Sequence, residues 1–285
     1  MTHACICCGG TDHVPHLRGL KRCADCTHVW ADLNLSHEEL QALYSKNYFL
    51  GEEYLDYEKE KPALRRNFTL RLRELLRRAP EGGALWEIGT AYGNFLDLAQ
   101  AHYKVAGCDI SEHAVRHACD TLGQKVQCGD YLTLDTPNEQ DVICLWDTIE
   151  HLSEPAAYLE KSVHQLKEGG VLALSTGDIG AWMARFRGEK WRLIHPPTHL
   201  HYFTAQSMRT LLEGLGFAGI EIRYPAFWRS ADAVAYRLLG HPEDRWAAPL
   251  YRGLRRASLL DFSFPMNTFD LMTVYAYKKA PHNVG

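Results

Sequence analysis

The sequence has no apolar run approaching the ~18 residues needed to span a bilayer. Its start, MTHACICCGG, has neither the basic region nor the apolar core of a secretion signal. Basic charge is not in excess: Lys plus Arg number 31 against 35 Asp plus Glu, a formal charge of -4, which opposes a general nucleic-acid or anionic-membrane binder. There is no Gly-Lys-Ser/Thr for a triphosphate, no internal repeat and no low-complexity tract. The composition, 46% hydrophobic and 23% charged, excludes collagen-like, disordered and coiled-coil chains. What is present, 285 residues, suits one large α/β domain plus an accessory element, expected in the cytoplasm.

Nine cysteines, an odd number, are read as thiols in a reducing compartment rather than disulfides, and five of the nine fall within the first 26 residues. Cys5 and Cys8 are separated by two residues, as are Cys23 and Cys26, with fourteen residues between the pairs. Two Cys-x-x-Cys turns supply the closed tetrahedral shell of a structural zinc site, so a zinc ribbon over residues 1–34 with Cys5, Cys8, Cys23 and Cys26 as ligands is expected. A register using Cys7, or a ligand from His13 or His28, stays open at this point, as do a redox pair and a nucleic-acid-reading finger. So few apolar residues precede His28 that this segment needs the metal to fold.

Residues 35–80 read as a helical lead-in. Ser36 with Glu39 forms a capping box, and a helix from Tyr57 to Arg78 carries Leu64, Phe68, Leu72, Leu75 and Leu76 at helical spacing. Its six arginines, Arg65, Arg66, Arg71, Arg73, Arg77 and Arg78, are read as a solvated face in preference to an RNA-binding stripe. From residue 81 to 280 strands and helices alternate. The predicted strands are Ala84–Ile88, Lys104–Ile110, Lys125–Asp130, Asp141–Asp147, Val171–Thr176, Gly219–Tyr224 and Leu271–Lys278. Helices start near Asn94, Ser111, Ser153 and Thr204, and three end at Gly123, Gly169 and Gly216. This alternation predicts a parallel, doubly wound sheet with ligands at the carboxyl ends of its strands. Two stretches break it, 177–203 and a helical insertion at 225–268, and both are expected to cap the site.

The sharpest motif is ALWEIGTAYGNF, a buried strand entering a Gly-rich turn and a helix. Gly89 and Gly93 permit close backbone approach to a ligand, with Ala91 at the middle position. Asp109 ends the next strand twenty-two residues after Glu87, where a carboxylate can accept both hydroxyls of a ribose. Asp130, in GDY, can meet an adenine edge. A nicotinamide site shares the first half of the turn but needs a third Gly and a hydride-handling site, and neither is evident.

These residues resemble the class I S-adenosylmethionine-dependent methyltransferases, and within them a branch with an amino-terminal four-cysteine knuckle. The resemblance runs through the cysteine pairs, LYSKNYF (residues 43–49), WEIGTAYGNF, CDIS, GDY, LWDTIEHL (145–152), LKEGGVLALST (166–176) and HLHYFT (199–204). It implies a seven-stranded Rossmann-like methyltransferase sheet with its last strand antiparallel. It also implies S-adenosylmethionine bound by Glu87, Gly89, Ala91, Gly93, Asp109, Ile110, Asp130, Tyr131 and Asp147, with Gly89 and Gly93 against the methionine part, Asp109 on the ribose, Asp130 and Tyr131 at the adenine, and Asp147 near the amino-acid moiety. Glu150-His151 is read as shaping the loop after the fourth strand in preference to catalysis.

The expected activity is methyl transfer to a small-molecule acceptor, with a sugar or natural-product hydroxyl favoured because the resemblance extends to sugar methyltransferases with similar knuckles. An RNA methyltransferase gripping its substrate through the ribbon, and a noncatalytic cofactor-binding interaction module, are the alternatives; nucleic acid and membrane partners are not expected. A general base is sought among His199, His195 and His201, in that order. His199 and His201 alternate with Leu200 and share one side if extended, and an unperturbed imidazole titrates at about pH 6.5. Trp182, Phe186, Trp191 and Phe203 either line an acceptor pocket or pack the cap.

Overall fold

The computed structural model describes residues 4–33, 57–239 and 247–279; the capping box at Ser36 and the run 43–49 lie outside the described residues. The amino-terminal segment forms three short antiparallel strands, β1 (His13–Pro15), β2 (Leu20–Cys23) and β3 (Val29–Ala31). Each Cys pair sits on a turn, and Thr27 (φ 67°) reverses the chain between β2 and β3.

Helix α1 (Tyr57–Leu76) leads into β4 (Ala84–Ile88), which is buried almost throughout and therefore central. There follow α2 (Asn94–Ala99), β5 (Lys104–Asp109), α3 (Glu112–Leu122), β6 (Val126–Cys128), β7 (Gln140–Trp146), α4 (Pro155–Gln165) and β8 (Leu166–Gly177). Their ends obey local chemistry. The Ser111 side chain accepts the Ala114 N–H to start α3, Gly123 stops it in the left-handed region at φ 65°, and Pro155 opens α4. Gly169 does not end a helix as expected. The helix has stopped at Gln165, and Gly169 lies in β8, where β7 advances from Gln140 to Val142 while β8 advances from Leu166 to Val171.

After α5 (Trp182–Arg187) come β9 (His201–Tyr202), α6 (Ala205–Gly214) and β10 (Phe217–Arg223). The insertion holds α7 (Ala231–Leu239) and α8 (Ala247–Arg256) between two strands that sequence periodicity does not show, β11 (Phe227–Ser230) and β12 (Ser263–Met266), paired antiparallel. β13 (Leu271–Lys278) closes the fold. The main sheet has the order β10-β13-β8-β7-β4-β5-β6, with β13 antiparallel to both neighbours, which is the expected doubly wound seven-stranded architecture.

The pleat divides the core. Trp86, Ile88, Ile143 and Leu145 pack on the α4 and α6 face with Leu159 and Leu211, whereas Leu85, Val142, Cys144 and Trp146 face Leu72 and Leu75 of α1. The cysteine segment is not a separate body. β9 adds to β3 through Val29–Tyr202 and Trp30–His201, and Leu20 and Val29 share a cluster with Ile179, Trp191, Ile194 and Tyr202. Leu20 is 2% exposed, so Leu20→Ala is expected to lower stability by about 2–5 kcal/mol in the main denaturant transition of the whole chain. A main transition left in place would show that the segment melts independently.

Candidate active site and cysteine centre

The carboxyl ends of β4, β5 and β7 converge around the Gly-rich turn. Gly89 has φ 76°, and a Cβ there would stand 2.6 Å from Thr148 Oγ1, so only glycine lets the loop after β7 close on the turn. Gly93 (φ 75°) starts α2 and would meet Ala118 Cβ at 2.9 Å. Between them Ala91 takes φ 45° and its N–H donates to Asp109 Oδ2 at 2.8 Å; Ser111 N–H donates to Oδ1 at 2.8 Å. Asp109 is therefore the brace of the turn. Burial pushes its carboxyl up, against the pull of the Ser111 and Ala91 amides. Beside it Ile110 is 45% exposed, a large apolar side chain left open at this edge.

The strongest electrostatic feature is one the sequence reading misses. Arg71, 7% exposed, reaches from α1 across the Trp146 ring (4.8 Å) to Asp147, Nη2 to Oδ2 at 2.8 Å. Its Nε is buried without a hydrogen-bond partner. Asp147 stands in the left-handed region (φ 52°), and Ser175 donates its hydroxyl to Oδ1 at 2.8 Å. Desolvation opposes the Asp147 charge, but Arg71 and Ser175 prevail and hold the carboxyl below its usual range. Glu87 lies on the same β4 face as Leu85, buried to 2% with Oε2 unpartnered. Burial drives its carboxyl well above the usual range although Arg71 pulls the other way, and Asp109 adds to the rise. A signal for Arg71 is present in the sequence. Leu64, Arg71 and Arg78 are spaced by seven; Arg71 is buried, and Arg78, just past the helix end, keeps its side chain 6% exposed and pairs with Glu74 and with Glu221 at 2.9 Å. The solvated-face reading fails at these two positions.

Asp130 and Tyr131 follow β6. Asp130 Oδ1 accepts from Leu132 N–H at 2.9 Å and from the Tyr158 hydroxyl at 2.5 Å. Tyr131 is a core side chain, 1% exposed, its hydroxyl donating to Gln165 Oε1. Trp182 and Phe186 are 61% and 81% exposed, whereas Trp191 is buried and Phe203 is in the core.

A small pocket lies on the other side of β7, lined by Glu150, Thr176, Trp191, Leu193, His199 and His201 among others. His199, in the loop before β9, and His201, in β9, both line it. Both are buried. Burial first, then the neighbouring His151 and His195, push His199 far below the ordinary imidazole value, and burial with His28 pushes His201 down to about 3. His195 is only partly buried; its Nδ1 meets Thr198 Oγ1, whose own hydrogen goes to the His195 carbonyl. That arrangement places the His195 lone pair on Nε2.

In the cysteine segment one ligand atom from each of Cys5, Cys8, Cys23 and Cys26 lies within 4.8 Å of the others, with Sγ–Sγ distances of 3.5 Å (Cys5–Cys26) and 3.6 Å (Cys8–Cys23). Zinc–sulfur bonds of about 2.3 Å give a tetrahedral edge of about 3.8 Å, so the four thiols fit that ion. Cys7 is buried, and hydrogen bonds to Cys26 and Cys5 push its thiol far up. With Cys5 and His28 it forms a second close set. His28 links the centre to the pocket, its Nε2 3.3 Å from His201 Nδ1.

A family described as a methyltransferase domain matches residues 58–222. No curated protein matches the chain. Among solved structures the chain is similar to magnesium protoporphyrin IX methyltransferase from Synechocystis with bound S-adenosylhomocysteine (15% identity, 86% of this chain and 100% of that one, TM-score 0.56). It is also similar to a SAM-dependent methyltransferase from Thermotoga maritima (18%, 78% and 94%, 0.53) and another from Archaeoglobus fulgidus (17%, 80% and 100%, 0.53). At these identities the likeness carries the fold.

The raised carboxyl of Glu87 has a measurable consequence. The folded state keeps this proton while the unfolded state releases it above about pH 4.3, so the residue costs stability as pH rises. Glu87→Gln is therefore expected to gain stability relative to the parent chain as pH rises above about 4.3, read from denaturant melts. A difference that does not change with pH would mean that Glu87 is ionised in the fold.

Proposed function

The chain belongs to the methyltransferase-domain family, whose match spans more than half of it, and we propose that it transfers the methyl group of S-adenosylmethionine to a hydroxyl of a small molecule such as a sugar or natural product. The observation that carries the cofactor part is the Arg71–Asp147 pair: a half-exposed carboxylate and a buried guanidinium with an orphaned Nε, side by side at the end of β7. Such a pair matches an amino-acid zwitterion, Asp147 taking the ammonium and Arg71 the carboxylate. Gly89, Ala91 and Gly93 bring backbone against the methionine portion. Asp109 has lone pairs left for the ribose diol after its two amide bonds, Ile110 gives an apolar face to the base, and Asp130 sits farther along this edge. Glu87 supports the site from beneath through Arg71.

When bound, the cofactor supplies an electrophilic methyl on a sulfonium, so the protein has to align the acceptor and take its proton. Of the three candidate bases we favour His195. Burial leaves His199 and His201 too weakly basic, which moves His195 ahead of His199 in the order expected from the sequence. The cysteine centre, loaded with zinc through Cys5, Cys8, Cys23 and Cys26, holds β3 and hence β9 and the pocket wall. Engagement of Arg71 and Arg78 inside the fold, of Arg65 with Asp97 and of Arg66 over Trp228 leaves little of the stripe that an RNA substrate would need.

Incubation with methyl-labelled cofactor and fractionated metabolites or RNA tests the reading. Label in a small-molecule fraction is expected; label in RNA alone, or in nothing, contradicts it. His195→Ala should then cut turnover by roughly 10²–10⁴ with cofactor affinity unchanged, and parent-like turnover removes it as the base. Anaerobically prepared protein should carry about one zinc, lost together with stability in Cys26→Ser; metal analysis that finds none overturns the zinc assignment.

A further inference from the structure

We propose a second metal site, separate from the cysteine centre, in which Glu150, His151 and His199 hold a divalent transition-metal cation beside the pocket. One ligand atom from each of the three lies within 4.8 Å of the other two. They arrive from distant stretches of chain: Glu150 and His151 from the turn Ile149–His151 after β7, and His199 from the loop before β9. Two hydrogen bonds fasten these stretches together, Leu200 N–H to the Glu150 carbonyl at 2.9 Å and His151 Nδ1 to the Thr198 carbonyl at 2.8 Å.

The tautomers of both rings suit metal ligation. His151 Nδ1 faces the Thr198 carbonyl and His199 Nδ1 faces the Leu193 carbonyl at 2.9 Å. A carbonyl only accepts, so Nδ1 carries the proton in both rings and the lone pair is on Nε2. A metal-ligating histidine is set in this way, its second nitrogen donating to a backbone carbonyl. Two imidazoles and one carboxylate suit zinc or ferrous iron, not calcium or magnesium. Bonds of about 2.1 Å need the donor atoms to draw in to about 3.4 Å, a movement within side-chain reach.

Three protein ligands leave a coordination position open, and the pocket walled by Glu150, His199, Thr176 and Trp191 adjoins it. The use of the site rests on the methyltransferase reading. An acceptor hydroxyl coordinated there would lose its proton more readily: the O–H bond breaks with the proton passing to His195, the oxygen pair forms the O–CH3 bond, and the S–CH3 bond breaks to leave a thioether.

The test is a Co2+ titration of full-length protein loaded with one equivalent of zinc, which the four thiols take first, followed by visible absorption. One further equivalent is expected, with d–d bands and no sulfur-to-cobalt charge transfer, because its ligands are nitrogen and oxygen. His199→Ala and the isosteric Glu150→Gln should each weaken Co2+ binding by at least about tenfold, the second guarding against misfolding of the first. No band at millimolar Co2+, a band with sulfur character, or a band unchanged in Glu150→Gln overturns the site. Calorimetry with S-adenosylhomocysteine on the same samples separates the two readings: cofactor bound without cobalt removes only the metal site, and cobalt bound without cofactor removes only the methyltransferase reading.

Discussion

A guanidinium cannot shed its charge, so burying Arg71 obliges the fold to gather anions and π faces around it. This constraint organises the end of the sheet. Asp147 is drawn into a left-handed conformation to meet Nη2, at the cost that non-glycine residues bear there. Trp146 lies under the guanidinium, Phe68 and Phe227 flank it at 5.5 Å, and Glu87 stands behind it in β4. Phe227 belongs to the insertion, and Asn67 of α1 exchanges two hydrogen bonds with Trp228 of the same strand. The cap is thus anchored to the helix that carries the cation. Lead-in helix, sheet and insertion meet at one charge, and that charge borders the Gly-rich turn.

The second organising link joins the cysteine segment to the opposite side of the site. β3 and β9 pair, Trp191 and Ile194 pack against Leu20 and Val29, and His28 stacks on His201. Leu20 and Val29 of the cysteine segment share a core with the pocket wall, so a metal on the proposed site at Cys5–Cys8 and Cys23–Cys26 would also order β9. The ribbon serves as a buttress for the loop that carries His195 and His199.

Local rules make much of the fold legible from the sequence alone. β4, β5 and β13 and the starts of α3 and α6 fall where alternation, Ser111 and Thr204 place them, because each is fixed by residues adjacent in sequence. The Gly89–Gly93 turn is legible for the same reason, whereas the bracing of that turn by Asp109 depends on a partner eighteen residues away. What escapes depends on distant partners. Arg71 reads as one of six surface charges unless the seven-residue spacing from Leu64 is weighed. Tyr131 reads as a polar site residue, but Gln165 and Ser162 claim its hydroxyl in the core. β9 is only two residues long and exists because β3 is there to pair with it. Glu150 and His151 look like loop-shaping residues until His199, forty-eight residues downstream, is folded against them.

The central claim is that Arg71 and Asp147 together receive the amino-acid end of S-adenosylmethionine. Calorimetric titration of S-adenosylhomocysteine into the parent chain and into Arg71→Gln tests it most directly, with a melt of each to show that both are folded. One equivalent should bind to the parent, and loss of a charge-assisted bond of about 1.5–3 kcal/mol should weaken the variant by at least about tenfold. Equal affinity in a folded Arg71→Gln, or no binding to the parent chain, would contradict the account.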